Sequence, residues 1–119
     1  VHIASTNEEG QLRLFIDGQV AAEKKVNARP AQLGYQNIAI GGNNCCRGYY
    51  EVLNGLVDEV RISNKTRYRL PFEPPAKEFK PDAHTLLLMH FSEAGKNDGL
   101  VGGDANLSSF NTIRSCAVS

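Results

Sequence analysis

A chain of 119 residues, 41% apolar and 22% charged, builds one small domain or parts of two around a single core. Thirteen Lys and Arg balance thirteen Asp and Glu, and zero net charge speaks against a non-specific nucleic-acid binder, which needs excess cations to displace counterions. The longest apolar run, Leu86–Met89, is four residues, against the ~20 that a membrane-spanning helix needs. The chain opens without Met and without a charged-then-apolar leader, so an internal piece or a processed product is expected.

The first predicted strand is Val1–Ser5, with Val1, Ile3 and Ser5 on one face. Asn7–Gly10 is a polar turn. Gln11–Ile16 alternates, with Leu12, Leu14 and Ile16 facing one way and Arg13 and Phe15 the other. Asp17-Gly18 follows at once and signals a tight hairpin, because both positions tolerate positive φ. Gln19–Val26 is the return strand, and its run Glu23-Lys24-Lys25 marks a solvated end or a sheet edge. Asn27–Gly34 holds Pro30 and is a loop. Asn37–Ile40 is a short strand ended by Gly41-Gly42-Asn43-Asn44, and Cys45–Tyr50 is a small loop.

Leu53–Ile62 alternates most clearly. Its apolar positions put Leu56, Asp58, Val60 and Ile62 on the inward face, with Asp58 at a buried rim. Arg67–Pro81 carries four of the five prolines and no regular period. It is expected to cross a surface as a strap docked by Tyr68, Phe72 and Phe79, or to serve as a linker. Thr85–Phe91 is a near-continuous apolar strand, as expected where both faces are covered. Glu93–Gly103 is a loop, and Asp104–Leu107 and Ile113–Val118 are weaker strands. Short alternating segments between Gly, Pro and Asn turns, with no sustained helical period, predict an all-β antiparallel sandwich.

Three of these segments resemble the laminin-G-like jelly-roll family of the concanavalin-A-like lectin/glucanase fold. They are Gln11–Val20 (QLRLFIDGQV), Asn37–Gly42 (NIAIGG) and Asn54–Ser63 (NGLVDEVRIS), in the family's order and spacing. They correspond to the C-terminal half of such a domain. His84–Phe91 (HTLLLMHF) and Gly95–Gly102 (GKNDGLVG) are similar to the family's first strand and the loop after it. The halves thus stand in reversed order, and the family's middle strands have no counterpart. The resemblance implies a jelly-roll-like sandwich, truncated or permuted. Residues 1–66 form one half, 67–83 a strap or linker, and 84–119 first strands packing in the same sandwich. Thr85–Phe91 is then expected beside Leu53–Ile62.

The resemblance also implies an extracellular or cell-surface recognition module without catalysis, binding a glycan or a protein surface. The alternative is a structural subunit or spacer of a surface or viral assembly that pairs exposed strand edges with another chain. The loop side chains Asn43, Asn44, Arg47, Tyr49 and Tyr50 suit a sugar, since rings stack on the pyranose face and amides meet hydroxyls; the Tyr rings could equally cap the core. Related folds can bind calcium at the position of Asp58 together with groups near the first strand, and here such partners would come from Glu93 and the loop Asn97-Asp98. A carboxylate accepting backbone N–H bonds is the simpler reading of Asp58. Cys45, Cys46 and Cys116 are an odd set, so any bridge from Cys116 leaves one thiol over. His90 is expected to be a packed, hydrogen-bonded histidine. No carboxylate pair with glycosidase character is recognisable. Asn64-Lys65-Thr66 and Asn106-Leu107-Ser108 are sequons that matter only in a eukaryotic secretory pathway.

Overall fold

The computed structural model describes residues 1–27, 40–42, 53–92 and 96–100. The protein is all-β: the described residues form five strands in two antiparallel sheets, and no helix. The predicted strands at Asn37–Ile40, Asp104–Leu107 and Ile113–Val118 fall wholly or largely outside the described residues, as do the three cysteines.

The first sheet is built from local hairpins. β1 (Ile3–Glu8) pairs with β2 (Gln11–Ile16), and β2 with β3 (Gln19–Lys25). Both turns have two residues at positive φ: Glu9 at 49° and Gly10 at 83°, then Asp17 at 48° and Gly18 at 78°. That combination matches the right-handed twist of the flanking strands. The Asp17 side chain also accepts the His2 N–H at 2.7 Å, and the Asp17 N–H donates to the His2 carbonyl at 2.8 Å. These bonds fasten the start of β1 to the far turn. A bulge between Leu14 and Phe15 lets β3 carry one extra residue.

The covered face of this sheet is the one that bears Phe15, which is completely buried. Leu14 and Ile16 of the opposite face stay partly exposed, and Ile3, paired with Ile16, is 68% exposed. Along β1 the buried side chain is Thr6, and the Ile3–Ser5 face is the open one. Three aliphatic residues on β2 therefore lose the inward side to a single phenylalanine, because the strap lies on the phenylalanine side.

The second sheet joins segments distant in the chain. β4 (Val60–Ser63) pairs with β5 (Thr85–Met89), with Val60 opposite Met89 and Arg61 opposite Leu88. Thr85 and Leu88 are fully buried and Met89 nearly so. On the other edge of β5, the Asp98 N–H donates to the Leu88 carbonyl at 2.9 Å and the Leu100 N–H to the Thr85 carbonyl at 3.0 Å. β5 is thus hydrogen-bonded along both edges. It stops at Met89, and Phe91 adopts φ 58°, which breaks the extended chain two residues later.

The alternation read into Leu53–Ile62 does not hold over its whole length. Only Val60–Ser63 is strand; Leu56 is wholly exposed, Asp58 is exposed, and Glu59 is the half-buried carboxylate. A period of two requires an extended, paired backbone, and β5 offers a partner only from Val60 onward.

The strap, residues 67–82, lies between the sheets. Tyr68 and Phe72 stack at 3.6 Å between ring centroids, and Phe72 meets Phe15 of β2 edge-on at 5.4 Å and His2 at 5.5 Å. The Arg61 guanidinium of β4 sits 4.0 Å over the Phe79 ring and donates to the Tyr68 hydroxyl at 3.2 Å. One aromatic cluster therefore touches both sheets. The strap backbone is tied as well: the Phe72 N–H donates to the Gly18 carbonyl at 3.0 Å. A Cβ on Gly18 would stand 1.8 Å from the Phe72 carbonyl oxygen, so this approach requires glycine. At the base of the strap Arg67 grips Asp82 with two bonds of 2.9 and 2.8 Å, and donates to the Ser63 hydroxyl at 2.6 Å. Asp82 also accepts the His84 N–H at 2.9 Å and the Thr85 hydroxyl at 3.0 Å. That knot closes the strap where β4 ends and β5 begins.

Candidate functional site

A group of ionisable side chains lies at the end of the second sheet. The register that sets Val60 opposite Met89 brings Glu59, one residue before β4, across from His90, one residue past β5. Glu59 and His90 form a short hydrogen-bonded ion pair through Glu59 Oε1 and His90 Nδ1. The second carboxylate oxygen, Glu59 Oε2, accepts the Phe79 N–H of the strap at 2.9 Å. On the other side of the imidazole, His90 Nε2 stands 3.6 Å from Asp98 Oδ2.

Asp98 is held there by the edge of β5. Asn97 Oδ1 accepts the N–H groups of Leu88 at 3.1 Å and Gly99 at 2.9 Å, which fixes the tight course of this segment against the strand. Lys96 Nζ lies 3.5 Å from Asp98 Oδ1. Glu78, His90, Phe91, Ser92, Lys96 and Asp98 line a polar cleft of about 250 Å³. The His90 pKa is raised above its ordinary 6.5, first by the hydrogen bond to Glu59, then by the charges of Glu59, Glu78 and Asp98. These outweigh the opposing effect of desolvation. Both oxygens of Glu59 are engaged, so this carboxylate acts as a bridge between β5 and the strap. Chemically, the arrangement holds a proton between two carboxylates.

The residues singled out from the sequence fare differently. His90 is packed and hydrogen-bonded. Asp58 is exposed, on the segment before β4 rather than on a buried rim. Among the described residues no group of three or more His, Cys, Asp or Glu side chains is placed to hold a metal ion. Glu93, named with Asp58 for calcium, lies outside the described residues. Asn43, Asn44, Arg47, Tyr49 and Tyr50 also lie outside them. The two ends of their segment are tied together, however: the Leu53 N–H donates to the Gly41 carbonyl at 2.8 Å, and Gly41 has φ 78°. The role of Glu59 escaped the sequence reading, which singled out Asp58 instead. The signal that locates it is the pairing register, which pattern alone does not supply.

Compared with known proteins, residues 1–69 match a laminin-G family described as the concanavalin A-like lectin/glucanases superfamily. No curated protein and no solved structure matches the chain. The matched region contains the whole three-stranded sheet, β4 and the strap as far as Arg69, beside the stacked Tyr68. It covers more than half of the 119 residues, and both the hairpin signature QLRLFIDGQV and the NGLVDEVRIS segment fall inside it. The chain therefore belongs to the laminin-G-like branch of the concanavalin A-like lectin/glucanase superfamily.

Proposed function

We propose that this protein is a non-catalytic recognition module that works outside the cell and binds a glycan or a protein surface through the loop Asn43–Tyr50. Membership in a laminin-G-like family carries the reading, because such domains are generally binding modules rather than enzymes. The bond between Leu53 and Gly41 supports the choice of surface. It pinches the base of the segment that carries Tyr49, Tyr50, Arg47 and the two asparagines, and binding residues concentrate on loops held by a rigid scaffold. Ile40 and Leu53 at this base are themselves partly exposed, which adds apolar contact area next to the loop.

The test is a glycan-array and cell-surface binding screen with the whole chain, the Tyr49→Ala and Tyr50→Ala variants, and a chelator arm. Binding that falls about tenfold or more in either variant is expected, since a buried aromatic anchor carries about 2 kcal/mol or more. Binding unaffected by both substitutions would overturn the assignment of the loop. Loss of binding on chelation that added calcium restores, and that Asp58→Ala reproduces, would support calcium at Asp58.

A second reading, assembly through strand edges, draws on β3, whose seven residues are all exposed. Light scattering separates the two: a stable oligomer that dissociates when a proline is placed in β3 supports assembly, and a monomer at all concentrations opposes it.

A further inference from the structure

We propose that Glu59, His90 and Asp98 form a proton-operated latch that fastens the far arm of the strap to the end of β5. His90 Nδ1 faces Glu59, and Nε2 faces Asp98 at 3.6 Å. A neutral imidazole carries one N–H, so in either tautomer one of its nitrogens turns a lone pair toward a carboxylate. Only the imidazolium donates to Glu59 and also carries the positive charge that attracts Asp98 across the longer gap. Glu59 passes this state on, because its other oxygen holds the Phe79 N–H at 2.9 Å. Phe79 in turn lies under the Arg61 guanidinium.

Among the described residues, the acidic charges that face His90 are Glu59 from the start of β4, Glu78 from the strap, and Asp98 from the segment along β5. Lys96 sets a cation beside Asp98, at 3.5 Å. The other attachments of the strap do not involve this proton. The Arg67–Asp82 knot is an arginine–carboxylate pair, and Phe72 is held by a backbone carbonyl. The strap is therefore fixed at its base and middle, and its far arm responds to pH. The direction follows from the raised His90 pKa. The latch is fully closed below the ordinary 6.5 and loosens as the pH climbs through the folded-state value. This device is independent of the ligand that the module binds.

NMR on the whole chain tests it with two readouts: the pH titration of the His90 ring, and the exchange protection of the Phe79 amide corrected for intrinsic rates. The wild type should show a His90 midpoint above 6.5. Phe79 protection should fall by roughly fivefold across that same midpoint, as suits a partly exposed pair. His90→Gln keeps a donor but cannot be charged, so Phe79 should stay at its high-pH level throughout. Glu59→Gln keeps an acceptor for Phe79 and should return the His90 midpoint toward that of a free imidazole. Protection at Phe79 that keeps the wild-type pH profile in His90→Gln would overturn the latch. So would a His90 midpoint below the ordinary value.

Discussion

The two sheets solve the same problem by different means. The three-stranded sheet is a local product: each strand follows its partner across a two-residue turn, and Asp17-Gly18 with Glu9-Gly10 set the register before any distant contact forms. The β4–β5 pair is non-local, and β5 starts only after the 67–82 strap has been closed by Arg67 and Asp82. Yet among the described residues the shorter pair holds two of the three fully buried side chains, Leu88 and Thr85, whereas the larger sheet holds Phe15. Strand-forming chemistry and core-forming chemistry are thus divided between the two, and the strap is where they meet.

Substitutions that remove one contribution at a time test this division. The largest loss is expected from Phe15→Ala, about 4 kcal/mol in a denaturant titration, because the ring is buried and supports both Tyr68 and Phe72. Leu88→Ala should cost about 3 kcal/mol and leave the first sheet's hairpins intact by NMR. A larger loss at Leu88 than at Phe15 would reverse the ranking. Gly18→Ala should cost about 2 kcal/mol, since both the positive φ and the approach of the Phe72 carbonyl oppose a side chain. Its signature is loss of protection at the Phe72 amide rather than within β1.

Smaller effects come from the ion pairs. Arg67→Ala should lower Tm by a few degrees and flatten the acid limb of the stability curve. The Arg67 guanidinium holds the Asp82 carboxyl well below its ordinary 3.8. That stabilisation is complete above the ordinary value and is lost as the pH falls toward the folded one. A variant with an unchanged acid limb would show that the knot does not depend on this charge. Arg69→Ala removes the exposed partner of Glu8 and should shift Tm by about a degree or less.

The sequence was readable where chemistry is local. Asp17-Gly18 is a turn because its φ values demand such residues, and the apolar run Thr85–Met89 is a strand with Thr85, Leu88 and Met89 buried. Family membership followed from the same motifs. What pattern could not supply was which face of a strand a third element would cover. Leu12, Leu14 and Ile16 outnumber Phe15, yet the strap with Tyr68 and Phe72 lies on the phenylalanine side. Likewise the alternation around Asp58 extends beyond the backbone that is paired, so Leu56 is exposed and Glu59 finds His90. Both errors share a cause: hydrophobic periodicity describes a strand, and burial depends on a non-local partner.

The double anchoring of the strap has a consequence for handling the protein. Glu73 and Pro75–Glu78 are exposed, while Phe72 is bound on one side of them and Phe79 on the other. A tryptic nick after Lys77 would sever the backbone and still leave each stump docked on its own sheet, joined through the shared ring cluster. The same span is the natural place to splice in a reporter tag, or to open the chain and make new termini.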